Sequence, residues 1–368
     1  MPMWTREAAL AMSLGRKALL AMPPSVRRAL GPDFFADLAP EFLWFEATAA
    51  CRHRCKFCGY GDRVPTGSVL SPGQLERTLG DPVFRTLRLV VVSGGEPTLR
   101  PDLDAILASV HRAVPNARIV LSSSAALPER LVHAARAALA LGVRLDVGVS
   151  VDGIGARHDE LRGTPGLFGR VDTALRELRE LKREAGARLR VSVGMVICDD
   201  TVEQVDDVRR YAKKLGAAFN PQWYNQAAYY GNVGRDRLAA RAVLSKLGKT
   251  LEPTILTERA LRALDGRAPK ARCTMMFNAC LLKSSGDMVP CFAFWESTVG
   301  NVLEASPSTI WASRRAREAR KRVMDCDGCL NACGVVWSAD ADYLGRCRFY
   351  LRHPRVLVEK LREHLAGA

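Results

Sequence analysis

Nowhere in these 368 residues does an apolar stretch approach the roughly 20 residues that a membrane-spanning helix needs, so no span is expected. Internal repeats, low-complexity tracts and long disordered tails are missing as well, which sets aside solenoid, fibrous and intrinsically disordered classes. The N-terminal stretch MPMWTREAALAMSLGRKALLAMPP has neither an uninterrupted apolar core nor a small-residue cleavage site, which argues against a secretory signal. Its helical spacing of apolar and basic residues fits a helix on the protein's own surface or one lying on a membrane surface. Acidic side chains run short, 39 against 54 Lys and Arg, leaving a net charge of +15. That excess is spread along the chain, apart from the dense run RRAREARKR between Arg314 and Arg322. A solvated helix face explains the run, and an acidic or phosphorylated partner is the alternative. No aromatic–basic alternation or recognisable nucleic-acid module accompanies it, so nucleic acid is not an expected partner.

Cysteine, by contrast, is plentiful. There are eleven, an odd number, mostly at short metal-type spacings. That pattern points to thiolate ligation in a reducing, cytoplasmic compartment and away from a disulfide scaffold.

Apolar, β-branched runs recur at 43–50, 87–95, 117–124, 143–152, 188–197 and 218–223, separated by segments with apolar residues at i, i+3 and i+4. Strands alternating with helices imply βαβ units and a parallel sheet. Six units are too few to close an eight-fold barrel, so the expected class is α/β, a partial (β/α)6 barrel resembling part of a TIM barrel. The expected segments are an N-terminal helical part over 1–40, the barrel over 41–225, a helical linker over 226–270, a cysteine-rich module over 271–350 and a C-terminal helix over 351–368.

Cys51, Cys55 and Cys58 form a CxxxCxxC triplet just past the first expected strand. Three thiolates can hold one face of a [4Fe–4S] cubane, leaving its fourth iron open to a reactant. A three-cysteine zinc site is the alternative. Ser93-Gly94-Gly95-Glu96-Pro97 closes the second strand, where the glycines let a ligand lie against the backbone and Glu96 or nearby carbonyls can accept bonds from an ammonium group. The third and fourth strands end in Ser122-Ser123-Ser124 and Ser150-Val151-Asp152-Gly153.

The triplet followed one βα unit later by GGEP resembles the radical S-adenosylmethionine (radical SAM) superfamily over roughly residues 41–225. The resemblance implies that S-adenosylmethionine chelates the open iron, with Gly94, Gly95 and Glu96 holding its amino group. It implies an aromatic role for Phe57, backbone contact with adenine near Tyr60, and rim contacts from Ser122, Ser150 and Asp152. Phe57 fits core packing equally well. His158 and Arg162, in ARHDELRG, look like an HDxxR stretch; Arg162 suits the methionyl carboxylate, or both residues merely fix the loop. One electron would then cleave the sulfonium to methionine and a 5′-deoxyadenosyl radical, supplied through a donor such as flavodoxin or ferredoxin.

Seven further cysteines lie at Cys273, Cys280, Cys291, Cys326, Cys329, Cys333 and Cys347. CLLKSSGDMVPC reads as a β-hairpin turning at SSGD. With Gly286-x4-Cys291, Trp311 and CDGC, the segment resembles the SPASM/twitch extension of the superfamily, a hairpin plus helix. That resemblance implies one or two auxiliary [4Fe–4S] clusters, with Cys273, Cys291, Cys326 and Cys329 assigned first and Cys280, Cys333 and Cys347 as further or alternate ligands. Two four-cysteine clusters need eight thiolates, one more than the module offers; Asp327 could substitute, and a zinc ribbon is the alternative. Relatives that oxidise sulfatases carry an aspartate where this chain has Phe292, which argues against that role. The forty residues before the first strand are too few for the leader-binding domain of many peptide-modifying relatives. Cys198 after the fifth strand is either a hydrogen-atom donor at the barrel mouth or a small buried hydrophobe.

The expected function is hydrogen abstraction from an unactivated carbon of a peptide or a sugar or aminocyclitol natural product, ending in oxidation (dehydrogenation or cross-linking) or epimerisation. An RNA-modifying radical enzyme and a non-catalytic iron–sulfur electron carrier are the alternatives.

Overall fold

In a computed structural model of the chain, the described residues are 18–20, 22, 24–35, 37–62, 69–234, 247, 253–264, 273–326, 343–358 and 361. They fall into two compact units, one built from Ala39–Ala239 with Ala279–Ala316, the other from Met1–Leu38, Ala240–Asn278 and Arg317–Ala368.

The first unit is a nine-stranded sheet. Six strands, β1 (Phe42–Thr48), β2 (Leu89–Gly94), β3 (Arg118–Ser123), β4 (Leu145–Ser150), β5 (Leu189–Ile197) and β6 (Ala218–Trp223), lie side by side in sequence order, all parallel. The expected runs match these spans closely, because buried parallel strands are rich in Val, Ile and Leu. Helices α2 (Pro72–Leu79), α3 (Leu103–Ala113), α4 (Pro128–Ala140), α5 (Ala156–Arg162), α6 (Leu167–Ala185) and α7 (Val205–Lys214) make the crossovers; α1 (Pro24–Leu30) precedes them in the other unit. In α6, buried Leu167, Val171, Ala174, Leu175, Leu178 and Leu181 recur at helical spacing and form one stripe.

In-register neighbours point to the same face of a parallel sheet, so each strand sorts its residues by parity. Leu43, Val90, Ile119, Leu145 and Leu189 form one rank of the outer face, all buried. On the inner face, Ser122 aligns with Gly148 and Ser192, and Ser150 with Gly194 and Asn220. These inner residues are half-buried or exposed, in contrast to their outer neighbours. β1 pairs with β2 and with β7 (Ala279–Leu282), not with β6, so the barrel stays open. β7 runs parallel to β1, and β8 (Asp287–Val289) and β9 (Gly300–Asn301) follow antiparallel.

The hairpin expected in a separate module therefore extends the barrel's own sheet, and the compact units cut across the segments read from the sequence. β-pairing, which joins residues 237 positions apart at Leu43↔Cys280, leaves no local sequence signal. In the second unit, α1 presents the buried Arg27, whose guanidinium donates to the Cys273 carbonyl at 3.2 Å. Helix α10 (Arg314–Asp325) buries Arg320 at 0% exposure, and its Nε donates to the Met276 carbonyl at 2.9 Å. Helices α8 (Ile255–Leu264) and α11 (Tyr343–Arg352) belong here too, while α9 (Pro307–Ala312) and its buried Trp311 belong to the first unit. Among the described residues no helix is long and apolar enough to cross a membrane.

Candidate active site at the C-terminal ends of the strands

β1 runs straight into the cysteine loop. The loop backbone is tied down at three points: Arg54 N–H to the Arg162 carbonyl (3.1 Å), Lys56 N–H to the Leu161 carbonyl (3.0 Å) and Gly59 N–H to the Tyr230 carbonyl (2.7 Å). Cys51, Cys55 and Cys58 carry free, half-buried thiols. Burial pushes Cys51 and Cys58 up to about 11 and raises Cys55, while Tyr60 N–H donates to the Cys58 sulfur at 3.4 Å. Among the described residues no three His, Cys, Asp or Glu side chains are grouped to hold one metal ion. In a cubane each thiolate takes a different iron, so three ligands on one loop need not converge on a point.

The second strand ends against that loop. Gly95 N–H donates to the Thr48 carbonyl (2.8 Å) and Glu96 N–H to the Ala50 carbonyl (2.9 Å). Gly94 has φ +132°, and a Cβ on Gly95 would sit 2.2 Å from the Ala50 oxygen. Only glycine allows this conformation and this approach. Glu96 is buried at 1% exposure. Its carboxylate already accepts from Thr98 N–H (3.0 Å), Thr98 Oγ1 (2.7 Å), Ser123 Oγ (2.6 Å), Ser124 N–H (2.7 Å) and Ser124 Oγ. The carboxylate expected to face an ammonium group is turned inward to fasten the end of β3.

Asp152, expected at the rim, and Arg162, expected either at the methionyl carboxylate or fixing the loop, meet each other. Arg162 donates to Asp152 Oδ2 from Nε (2.6 Å) and Nη2 (2.5 Å), and Asp152 Oδ1 accepts from Val196 N–H at 2.9 Å. Burial alone would lower Arg162, but the Asp152 carboxylate together with the Cys55 and Cys58 sulfurs outweighs it, and the guanidinium is held more firmly charged. The same guanidinium lies 5.6 Å from the centre of the Phe57 ring. His158 Nδ1 accepts from Asp152 N–H at 3.1 Å, and burial drops His158 to about 3. Phe57 packs with Leu161, Cys198 and Tyr224, against which Cys55 and Cys58 also lie. Cys198 is thus fully buried beneath the cysteine loop, with Thr201 Oγ1 3.6 Å from its sulfur. Ser122 and Ser150 stand half-buried on the inner face.

Two parts of the site were not anticipated. Residues 226–234, read as the start of a linker, fold over the cysteine loop. Asn232 Nδ2 donates to the Phe57 carbonyl (3.3 Å), and Tyr229 donates its hydroxyl to the Gly94 carbonyl (2.9 Å). Tyr229 is the hub of an aromatic cluster with Tyr60 (5.0 Å), Trp44 (4.9 Å), Phe292 (5.2 Å) and Trp295 (4.8 Å) that covers the inner face of β1. There, Glu46 accepts from the Tyr60 hydroxyl and from Ser284 Oγ (3.0 Å). The run AAYY was the available signal, since a linker has no use for two adjacent aromatics. The other part is His53, inside the cysteine loop and only 3% exposed.

Of the expected auxiliary ligands, Cys273, Cys326 and Cys347 lie in the second unit and Cys280 and Cys291 in the first. Cys280 is fully buried in β7, Cys291 is half-buried after β8, and Cys326 and Cys347 are exposed. Cys329, Cys333 and Asp327 lie outside the described residues.

Comparison with known protein families agrees with this layout. The radical SAM superfamily model matches residues 45–212, and an iron–sulfur cluster-binding domain model, SPASM, matches 273–333. The chain carries a radical SAM domain followed by a SPASM domain. Among curated proteins it is 30% identical to the AdoMet-dependent heme synthase of Methanosarcina barkeri, over 49% of each chain. It is also 30% identical to the mycofactocin maturase MftC of Mycobacterium tuberculosis, over 49% of this chain and 43% of the relative. The chain spans about half the length of the curated relatives it matches. Among solved structures, Streptococcus suis SuiB bound to S-adenosylmethionine aligns with a TM-score of 0.60 at 18% identity, over 77% of this chain and 68% of SuiB, a likeness of fold.

A radical SAM domain implies S-adenosylmethionine and a [4Fe–4S] cluster, and a SPASM domain implies auxiliary clusters. The residues present fit the first group. Cys51, Cys55 and Cys58 are three free thiols on one braced loop, with the Gly94–Gly95 turn pressed against it.

Proposed function

We propose that this protein is a radical SAM enzyme that removes a hydrogen atom from an unactivated carbon of a peptide or small natural product. The observation that carries the reading is the meeting of three free thiols with the Gly94–Gly95 turn at the mouth of a half-open lumen. Bound there, the cluster and S-adenosylmethionine supply a 5′-deoxyadenosyl radical. The chain's own residues do the rest. Cys51, Cys55 and Cys58 hold three irons and leave the fourth for the methionyl group. Carbonyls of the turn would accept from its ammonium, while the Asp152–Arg162 pair and Phe57 stiffen the loop from below. Ser122, Gly148, Ser192, Ser150 and Gly194 give the lumen room and neutral hydrogen-bonding groups, which suit amides and hydroxyls.

Peptide maturases among the relatives support a peptide, and a sugar or aminocyclitol suits the same lumen. The product radical is then oxidised through an auxiliary cluster or quenched in an epimerisation. The electron donor is a small flavodoxin- or ferredoxin-like protein, and the compartment is cytoplasmic. Anaerobic incubation with S-adenosylmethionine and dithionite tests the reading. Formation of 5′-deoxyadenosine supports the enzyme, and its absence from cluster-loaded protein favours an electron carrier. Deuterium transfer from labelled candidates into 5′-deoxyadenosine identifies the substrate carbon.

A further inference from the structure

His53 sits between the first and second cysteines of the loop, yet it points away from solvent and is bonded at both ring nitrogens. Nε2 lies 2.7 Å from Ser124 Oγ, and Nδ1 lies 2.7 Å from Thr164 Oγ1. Ser124 Oγ in turn donates to the buried Glu96 carboxylate. An ionised carboxylate only accepts, which sets the polarity of the whole chain of bonds. Ser124 gives its proton to Glu96, so its oxygen accepts from His53 Nε2–H. Nδ1 is then bare and accepts from the Thr164 hydroxyl. This polarity assigns one tautomer; the Thr164 hydroxyl, whose other acceptor is the Arg162 carbonyl at 3.3 Å, gives its single proton to the nearer Nδ1.

This chain of bonds spans three segments distant in sequence. Glu96 follows the Gly94–Gly95 turn, Ser124 follows β3, and Thr164 follows α5, whose last residues pair with the loop backbone at Arg54 and Lys56. Through Ser124, His53 links the loop between Cys51 and Cys55 to the residue that follows the turn.

We propose that His53 is a positioning residue that transmits the hold of Glu96 and Ser124 to the cysteine loop and so fixes the three thiols relative to the Gly94–Gly95 turn. The inference rests on the radical SAM reading for its consequence, though not for the brace itself. An ordinary buried staple would affect stability alone; a positioning role also changes how S-adenosylmethionine binds.

The test uses the full chain, purified anaerobically, as wild type and as His53→Ala, His53→Gln and Ser124→Ala. In His53→Ala and Ser124→Ala the KM for S-adenosylmethionine should rise about 10- to 100-fold at equal cluster loading, on the scale of the loss of metal affinity or activity when an outer-shell partner is removed. The change in the cluster's electron paramagnetic resonance signal on adding S-adenosylmethionine should need correspondingly more of it. His53→Gln, whose amide can still donate to Ser124, should recover most of the loss. Equal KM and equal spectral titration in folded His53→Ala overturn the proposal. So does a loss of melting temperature with KM per cluster unchanged.

Wild type that forms no 5′-deoxyadenosine would defeat the functional reading by itself. In that event amide exchange at Arg54 and Lys56 in iron-free protein decides about the brace. Roughly tenfold faster exchange in His53→Ala supports it, and equal exchange removes it. Should His53→Ala fail to fold, Thr164→Val deletes only the hydroxyl that orients the ring and is read the same way.

Discussion

Asp152 and Arg162 form a pair whose side chains are 0% and 11% exposed, a setting in which each charge depends on the other. Replacing Asp152 with Asn leaves a buried guanidinium uncompensated and should cost about 3–5 kcal/mol in urea denaturation of the iron-free protein. Converting both residues together, Asp152→Asn with Arg162→Met, should recover part of that loss. His158 makes a prediction about pH. Burial lowers it from 6.5 to about 3, so the folded state binds fewer protons than the unfolded chain in between. Its contribution is therefore complete above about pH 6.5 and is lost as pH falls toward its folded value, at up to about 1.4 kcal/mol per pH unit. Denaturation curves between pH 7 and pH 4 should show that slope, and His158→Gln should remove its share, leaving the part due to His53, which burial lowers to about 4. At Gly95, substitution by Ala drives a Cβ into the Ala50 carbonyl and displaces the turn. A displacement of about 1 Å is expected to lower the rate of S-adenosylmethionine cleavage roughly 100-fold. Gly148→Ala, whose nearest neighbour would be Ser192 Oγ at 3.5 Å, should fold normally.

At the scale of elements, the parallel strands and their crossover helices were legible because period and composition are local signals. Val147 and Val149 alternate with Gly148 and Ser150 in β4 in the sequence itself, and the structure keeps that parity. The cysteine loop was legible for the same reason, since its spacing is contained in eight residues. The place of β7 was not, because strand pairing over a long separation has no local trace. Nor was the inward turn of Glu96, which depends on Thr98, Ser123 and Ser124 being folded around it. Nor was the anchoring of residues 226–234, which comes from tertiary contacts at Tyr229 and Asn232. Tyr229→Phe tests that anchoring. Loss of the bond to the Gly94 carbonyl should cost about 1 kcal/mol in thermal denaturation while the aromatic packing persists.

At the scale of the whole molecule, one end of an open barrel gathers the thiols, the glycine turn and a half-open lumen of small polar residues. The hairpin that carries Cys280 and Cys291 is paired to the strand that leads into the cysteine loop. One measurement bears on the central claim most directly. Cluster-loaded protein is mixed anaerobically with S-adenosylmethionine and dithionite, and 5′-deoxyadenosine is quantified beside a Cys55→Ala variant. The account predicts 5′-deoxyadenosine from the wild type and none from the variant. Equal amounts from both, or none from wild type with its cluster in place, would contradict it.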